Sequence, residues 1–273
     1  MSEAKPLKVL FIGNSHTYFH DLPQVFKMLA EAGQDRPVEA RLLAFPGVPW
    51  SWHLSQETMV RYEFLFGGYD YVVLQQAAHR PFPEPEKTLR DGKILIERAR
   101  ENGIKPIVCV SWAERRAPQH QQPMFDVAQK LAAEHDVPLE PTGYLFQQVA
   151  AEHPEIDLFY HDGEHCGPYG TYLRALSIYR IVFGESPVGL PAKSMCNALI
   201  DEELAAKSRP VLQKVVTEEA ELDAWIASDE FQTVEDTMWA TYSLNWDKDS
   251  CYVDLDPGKA KTLQELVEQY FAG

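Results

Sequence analysis

Short apolar runs alternating with stretches of helical spacing constrain this chain more than any other feature. Residues 8–12, 71–74 and 107–110 are near-continuous hydrophobic segments, residues 38–45 form a longer and more mixed one, and residues 137–139 a short fifth. Runs of this length, bounded by turn formers, read as parallel strands covered on both faces. Between them, Leu22, Val25, Phe26 and Leu29 share one helical face, with Asp21 as a candidate cap, Pro23 in the first turn and Gly33 at the end. Residues 87–102, 125–135 and 168–183 repeat the pattern. Strand and helix in alternation imply βαβ units, hence a three-layer α/β/α sandwich around a central, mainly parallel five-stranded sheet. Ligands of such sheets bind beyond the carboxyl ends of the strands, here the segments after Ile12, Phe45, Leu74 and Val110.

The α/β pattern fills residues 1–189, and residues 190–273 read as a helical, acidic extension. Residues 202–228 carry Leu204, Val211, Val215, Leu222 and Ile226 on one face, with Pro210 expected to break the helix. Asp256-Pro257 starts a last helix. Trp225, Trp239 and Trp246 are costly to leave in water, so the extension is expected to pack on the α/β domain. The net charge of −16, from 41 acidic and 25 basic residues, disfavours nucleic acid and anionic membrane surfaces as partners. Four cysteines without a C-x-x-C pair, and no apolar leader or membrane-length segment, lead to the expectation of a reducing, cytoplasmic setting. The sequence leaves the oligomeric state open.

Two segments carry chemistry. Gly13-Asn14-Ser15-His16-Thr17 follows the first strand, where a serine on a tight turn is exposed and backbone N–H groups can face a developing oxyanion. The same residues also suit an ordinary strand-to-helix turn. His161-Asp162-Gly163-Glu164-His165 admits three readings. His-x-x-Glu-His has inverted zinc-protease spacing, but that motif needs a continuous helix and Asp162-Gly163 is a turn signal. A polar loop capping the next helix is the second reading. The third makes Asp162 and His165 an acid–base pair, the carboxylate orienting the imidazole.

Two weaker signals complete the set. Gly47, in Pro46-Gly47 after the second strand, can bring a bare N–H to a substrate oxygen. Gln75 and Gln76 end a strongly apolar strand, where an amide must be paired or placed at a site. Either amide could serve as an oxyanion donor.

The order Leu10-Phe11-Ile12-Gly13-Asn14-Ser15-His16-Thr17, then Tyr69-Asp70-Tyr71-Val72-Val73-Leu74-Gln75, then Tyr160-His161-Asp162-Gly163-Glu164-His165 leading to Gly170-Thr171-Tyr172-Leu173, resembles the SGNH hydrolase superfamily. It is most similar to the branch with Gly-Asn-Ser in the first block and Gln in the third, over residues 8–187. Asn14 stands where many members have Asp, and Cys166 where proline is common. The resemblance implies a flavodoxin-like domain in which Ser15 is the nucleophile, His165 the base and Asp162 its orienting acid. It implies an oxyanion hole from Ser15, Gly47 and Gln75, with no metal and no cofactor. The activity implied is hydrolysis of small acyl esters, by analogy O-acetyl groups on carbohydrate. The alternative is an inactive binding protein on the same fold.

Overall fold

The computed structural model describes residues 5–78 and 84–272. Five strands, β1 (Leu7–Gly13), β2 (Val38–Ala44), β3 (Tyr71–Gln75), β4 (Lys105–Cys109) and β5 (Leu139–Glu140), form one sheet in the order β2-β1-β3-β4-β5. Every pairing in it is parallel. This is the flavodoxin-like order.

Helices cover both faces. The chain runs through α1 (Ser15–Tyr18), α2 (Leu22–Gly33), α3 (Trp50–Ser55), α4 (Glu57–Phe66), α5 (Pro85–Glu101), α6 (Gln121–His135), α7 (Thr142–Glu152) and α8 (Pro168–Phe183). Strand alternation sorts the core. Val9, Phe11, Val73 and Ile107 pack under α2, α7 and α8, where Leu22, Val25, Phe26 and Leu29 are all buried as the helical spacing requires. Leu10, Ile12, Val72, Leu74 and Val108 pack on the opposite face with Trp50, Phe64, Leu95 and Leu131.

Asp21 adopts left-handed backbone (φ 50°) and makes no side-chain cap, so α2 starts without the expected hydrogen bond.

The segment after Gly189 does two different things. β6 (Lys193–Met195) leads out through β7 (Ala198–Leu199) to α9 (Glu202–Leu212), α10 (Glu219–Ile226) and α11 (Asp229–Thr241). The chain returns by β8 (Ser243–Leu244) and β9 (Tyr252–Asp254) to α12 (Pro257–Ala272). β6 pairs with β9 and β7 with β8, both antiparallel, and the Cys196 N–H donates to the Cys251 carbonyl at 2.7 Å between them. The excursion over residues 197–250 therefore leaves and rejoins the main body at one narrow neck. Beyond it, α12 buries Leu263, Leu266 and Val267 in the same core as α2 and α8, and the Gln264 amide donates to the Tyr172 hydroxyl at 2.7 Å.

Pro210 lies inside α9, which ends two residues later; the proline costs one backbone bond without stopping the helix there. Trp225 and Trp239 are partly buried, as their size demands, but Trp246 is 91% exposed. Among the described residues no helix is long and apolar enough to cross a membrane.

Candidate active site

In this strand order the chain reverses direction between β1 and β3, and the crevice above those two strand ends is where ligands of such sheets bind. Gly13 closes β1. A Cβ there would collide with the Thr17 hydroxyl and the Gln75 amide oxygen, so glycine lets the Ser15 turn sit this close to β3. The Gln75 Oε1 accepts from the Asn14 N–H at 3.1 Å and from the Thr17 hydroxyl at 2.8 Å. Its Nε2 donates to the Gln76 carbonyl, leaving one further N–H. Gln76 is turned to other work: it accepts from the Trp50 and Ala77 N–H groups at 2.9 Å and donates to the Thr88 hydroxyl at 3.2 Å.

Asn14 is the N-cap of α1, its Oδ1 accepting from the His16 N–H at 3.0 Å. Its Nδ2 donates to the Val48 carbonyl at 3.3 Å, which ties the Ser15 turn to the loop carrying Gly47. An aspartate could cap but could not donate that second bond, which accounts for an amide at this position. Gly47 itself is exposed with φ 64°. Ser15 is the first residue of α1, so its N–H is one of those a helix leaves without an internal partner. Burial raises the pKa of the neighbouring Tyr18 phenol, and the Ser15 hydroxyl works against that rise.

Asp162 and His165 meet on the loop before α8. Gly163, at φ 71°, makes the turn, and the Asp162 carboxylate uses both oxygens. Oδ1 accepts from the Glu164 and His165 N–H groups at 2.9 and 3.0 Å, and Oδ2 accepts from His165 Nδ1 at 2.6 Å. An acceptor-only carboxylate fixes the proton on Nδ1 and leaves the Nε2 lone pair available in the neutral ring. Among the described residues Nε2 has no hydrogen-bond partner. The ring stacks on Phe19 at 4.1 Å and meets His16 edge-on at 5.0 Å, so it lies against the segment that begins with Ser15. Burial opposes the imidazolium, but Asp162, then Glu164 and Glu114, outweigh it and hold His165 above its ordinary value. Asp162, where burial works upward, is held down by the His165 partner.

The loop is not helical, and the His161 Nδ1 accepts from Arg209 at 3.0 Å instead of joining the other two motif side chains. The ligand-bearing group that does form is His16, Glu164 and His165, with donor atoms within 4.8 Å of one another. Two imidazoles and a carboxylate suit a zinc ion.

Several site residues have no signature in the sequence. Arg174 of α8 is fully buried; its guanidinium donates to the His16 carbonyl and to Cys109 Sγ, and lies 5.0 Å over Trp112. Its one signal is a charge among the buried positions of α8, whose other arginine, Arg180, lies near the helix end. Arg116 is buried between Glu114 at 2.5 Å and Glu164 at 3.6 Å, and also donates to the Asp162 carbonyl. Phe19, Trp239 and Tyr242 form an aromatic wall beside His165: Trp239 lies edge-on to the imidazole at 5.9 Å and Tyr242 stacks on Phe19 at 5.6 Å.

No protein-family profile and no curated protein sequence matches the chain. Solved structures do. A Slackia heliotrinireducens protein assigned to the SGNH hydrolases superposes at TM-score 0.58 and 23% identity, over 65% of this chain and 100% of its own. The acetyl xylan esterase AlAXEase gives 0.55 and 19%, over 65% and 100%. The fold is that of the SGNH hydrolases. A DUF4886 family protein from Bacteroides uniformis ATCC 8492 gives 0.56 and 18%, over 77% of this chain and 91% of its own. Two SGNH-fold neighbours are thus matched end to end, while about a third of this chain has no counterpart in them.

Proposed function

We propose that the protein is a serine esterase that cleaves small acyl esters, O-acetyl groups on carbohydrate foremost, through Ser15, His165 and Asp162. The observation that carries the reading is the Asp162–His165 pair: a 2.6 Å bond at Nδ1, a partnerless Nε2, and a ring packed on the residues that follow Ser15. The nucleophile–base bond between Ser15 Oγ and Nε2 is expected to form with substrate present, as such bonds commonly tighten only then.

Ser15 Oγ then attacks the ester carbonyl carbon while Nε2 takes its proton. The tetrahedral oxyanion is met by the Ser15 N–H at the start of α1, the Gly47 N–H and the remaining Gln75 amide hydrogen. His165 returns the proton to the departing alkoxide, leaving an acyl-Ser15. Water, deprotonated by the same nitrogen, releases the acid. The strongly acidic chain favours an uncharged ester over phosphate or anionic lipid. The acetyl-carbohydrate part rests on likeness to acetyl xylan esterase. Four free cysteines, three of them buried, fit a cytoplasmic setting.

Ser15→Ala tests the assignment. It is expected to abolish hydrolysis of an activated acetate ester and labelling by a fluorophosphonate, with thermal stability nearly unchanged. Wild-type turnover in the variant would overturn the nucleophile assignment. A wild-type protein that neither labels nor hydrolyses would favour a binding protein.

A further inference from the structure

The wall beside His165 is not built by the α/β domain alone. Ser15 is 7% and His165 5% exposed. Phe19 contributes one ring, but Trp239 and Tyr242 come from the far end of the excursion and stand 5.3 Å apart. They are held firmly. Phe231 and Met238 of α11 are buried against Leu212, and Phe231 lies under the Arg116 guanidinium at 5.1 Å. Four residues past Tyr242 stands Trp246, 91% exposed, an indole that nothing in the protein covers. Those four residues, two of them in β8, span at most about 14 Å along the chain.

The chemistry of the proposed reaction gives this wall a side. His165 Nε2 must hand its proton to the departing alkoxide, so the alcohol portion of the ester lies against His165. Trp239, which meets His165 edge-on, therefore lines the alcohol subsite rather than the acyl subsite, and Tyr242 packs against it. Aromatic faces suit a ligand with an apolar face and a polar edge, which a pyranose ring has. Trp246 presents a free indole face a few residues along the chain from that wall.

We propose that Trp239 and Tyr242, with Trp246 beyond them, form the surface on which the sugar part of an acetylated oligosaccharide stacks. The proposal rests on the esterase reading above and adds the subsite and its residues. It assigns the excursion a function: it carries substrate recognition, while the α/β domain carries the chemistry.

The test compares two substrates, an acetylated xylo-oligosaccharide and a small aryl acetate with no sugar. The readout is the ratio of their kcat/KM values. Trp246→Ala is expected to lower that ratio about fivefold or more, and Trp239→Ala about tenfold or more, through KM for the oligosaccharide. Trp246→Phe should restore most of the loss. Because Trp239 also touches His165, Trp246, at the surface, is the variant that isolates binding. In the Ser15→Ala background, calorimetry should show oligosaccharide binding that Trp246→Ala weakens. An unchanged ratio in both alanine variants overturns the proposal. So does a wild-type enzyme that cleaves the aryl acetate but no acetylated oligosaccharide, an outcome that leaves the esterase reading intact. Only failure on both substrates together with no labelling of Ser15 removes the esterase reading itself.

Discussion

At the scale of single residues, the Asp162–His165 bond fixes two expectations. The base must be neutral to act, and its pKa is held above the ordinary imidazole value. The specificity constant should therefore rise with pH along one limb whose midpoint lies above about 6.5. Stability moves the other way. A histidine with a raised folded pKa stabilises the fold fully below its unfolded value, and that contribution is lost as pH rises through the folded one. Asp162→Asn removes the charge and the acceptor that fixes the tautomer, and should lower kcat about ten-thousandfold, the size of the analogous loss in a serine protease. A flat profile from pH 5 to 9, or a variant within tenfold of wild type, would assign base duty elsewhere. The His16, Glu164 and His165 group yields a metal experiment. Exhaustive chelation should leave turnover intact. Added zinc should inhibit by taking the Nε2 lone pair, and Glu164→Gln should weaken that inhibition. Loss of activity in chelator, restored by zinc, would make the ion part of the reaction.

At the scale of elements, α8 supports the turn that carries Ser15 through Arg174, which donates to the His16 carbonyl. That guanidinium also faces Glu140, a carboxyl whose pKa burial pushes up and which accepts from Cys109 at 2.7 Å and from the Thr142 hydroxyl. Arg174→Met strips a buried carboxylate of its cation and should cost about 3–5 kcal/mol in urea unfolding, whereas Arg174→Met with Glu140→Gln should recover a large part of it. If the double variant loses as much as Arg174→Met and Glu140→Gln lose separately when added, the two side chains are not coupled. β1, β3 and β4 were legible as strands because strands buried on both faces must be continuously apolar. β5 was placed at residues 137–139 but forms at Leu139–Glu140, since Pro138 has no N–H for the ladder. α3 and α4 left little trace: Trp-Ser-Trp-His-Leu-Ser is too short to show a period, and neither helix has a side-chain cap. α7 opens on Thr142-Gly143, whose glycine is there because a Cβ would strike the Ser111 carbonyl and the Gln121 amide, so a packing need hides the helix signal. The pairing of Asp162 with His165 was readable from their spacing on one loop, and Ser15 as a candidate from its place after β1. Arg174, Arg116 and Trp239 were not, because their roles depend on which elements the fold brings together.

At the scale of the molecule, one buried group adds a defined contribution to the response to acid. His20 is fully buried with neither ring nitrogen bonded among the described residues, and burial, then repulsion from a charged His165, lowers its pKa to about 3. The unfolded chain binds that proton near pH 6.5 and the folded one does not, so stability present above 6.5 is lost progressively as pH falls toward 3. Between pH 6.5 and 4.5 the loss from this group is about 2–3 kcal/mol. His20→Asn, which tolerates the φ of 53° at this position, should flatten that part of the stability curve. Equal acid sensitivity in both proteins, measured by urea midpoints at the two pH values, would clear His20 of the effect.

The neck at Cys196 and Cys251 has a consequence for how the two parts of the protein are joined. A segment of 54 residues that enters and exits through adjacent backbone positions is, topologically, a cassette. Its path leaves every strand of the parallel sheet and the docking of α12 untouched, yet it is keyed to the loop of Asp162 and His165, where the Gln213 amide donates to the Tyr160 and His161 carbonyls and the Val216 N–H donates to the Arg116 carbonyl. Ser15, Asp162, His165, Gly47 and Gln75 all lie outside it, and Trp239, Tyr242 and Trp246 all lie within. The candidate triad and the proposed sugar surface thus sit on opposite sides of a single pair of backbone positions, so whatever joins the two must pass through the contacts of Gln213, Val216 and Phe231 with the catalytic-side loop and not through the neck itself.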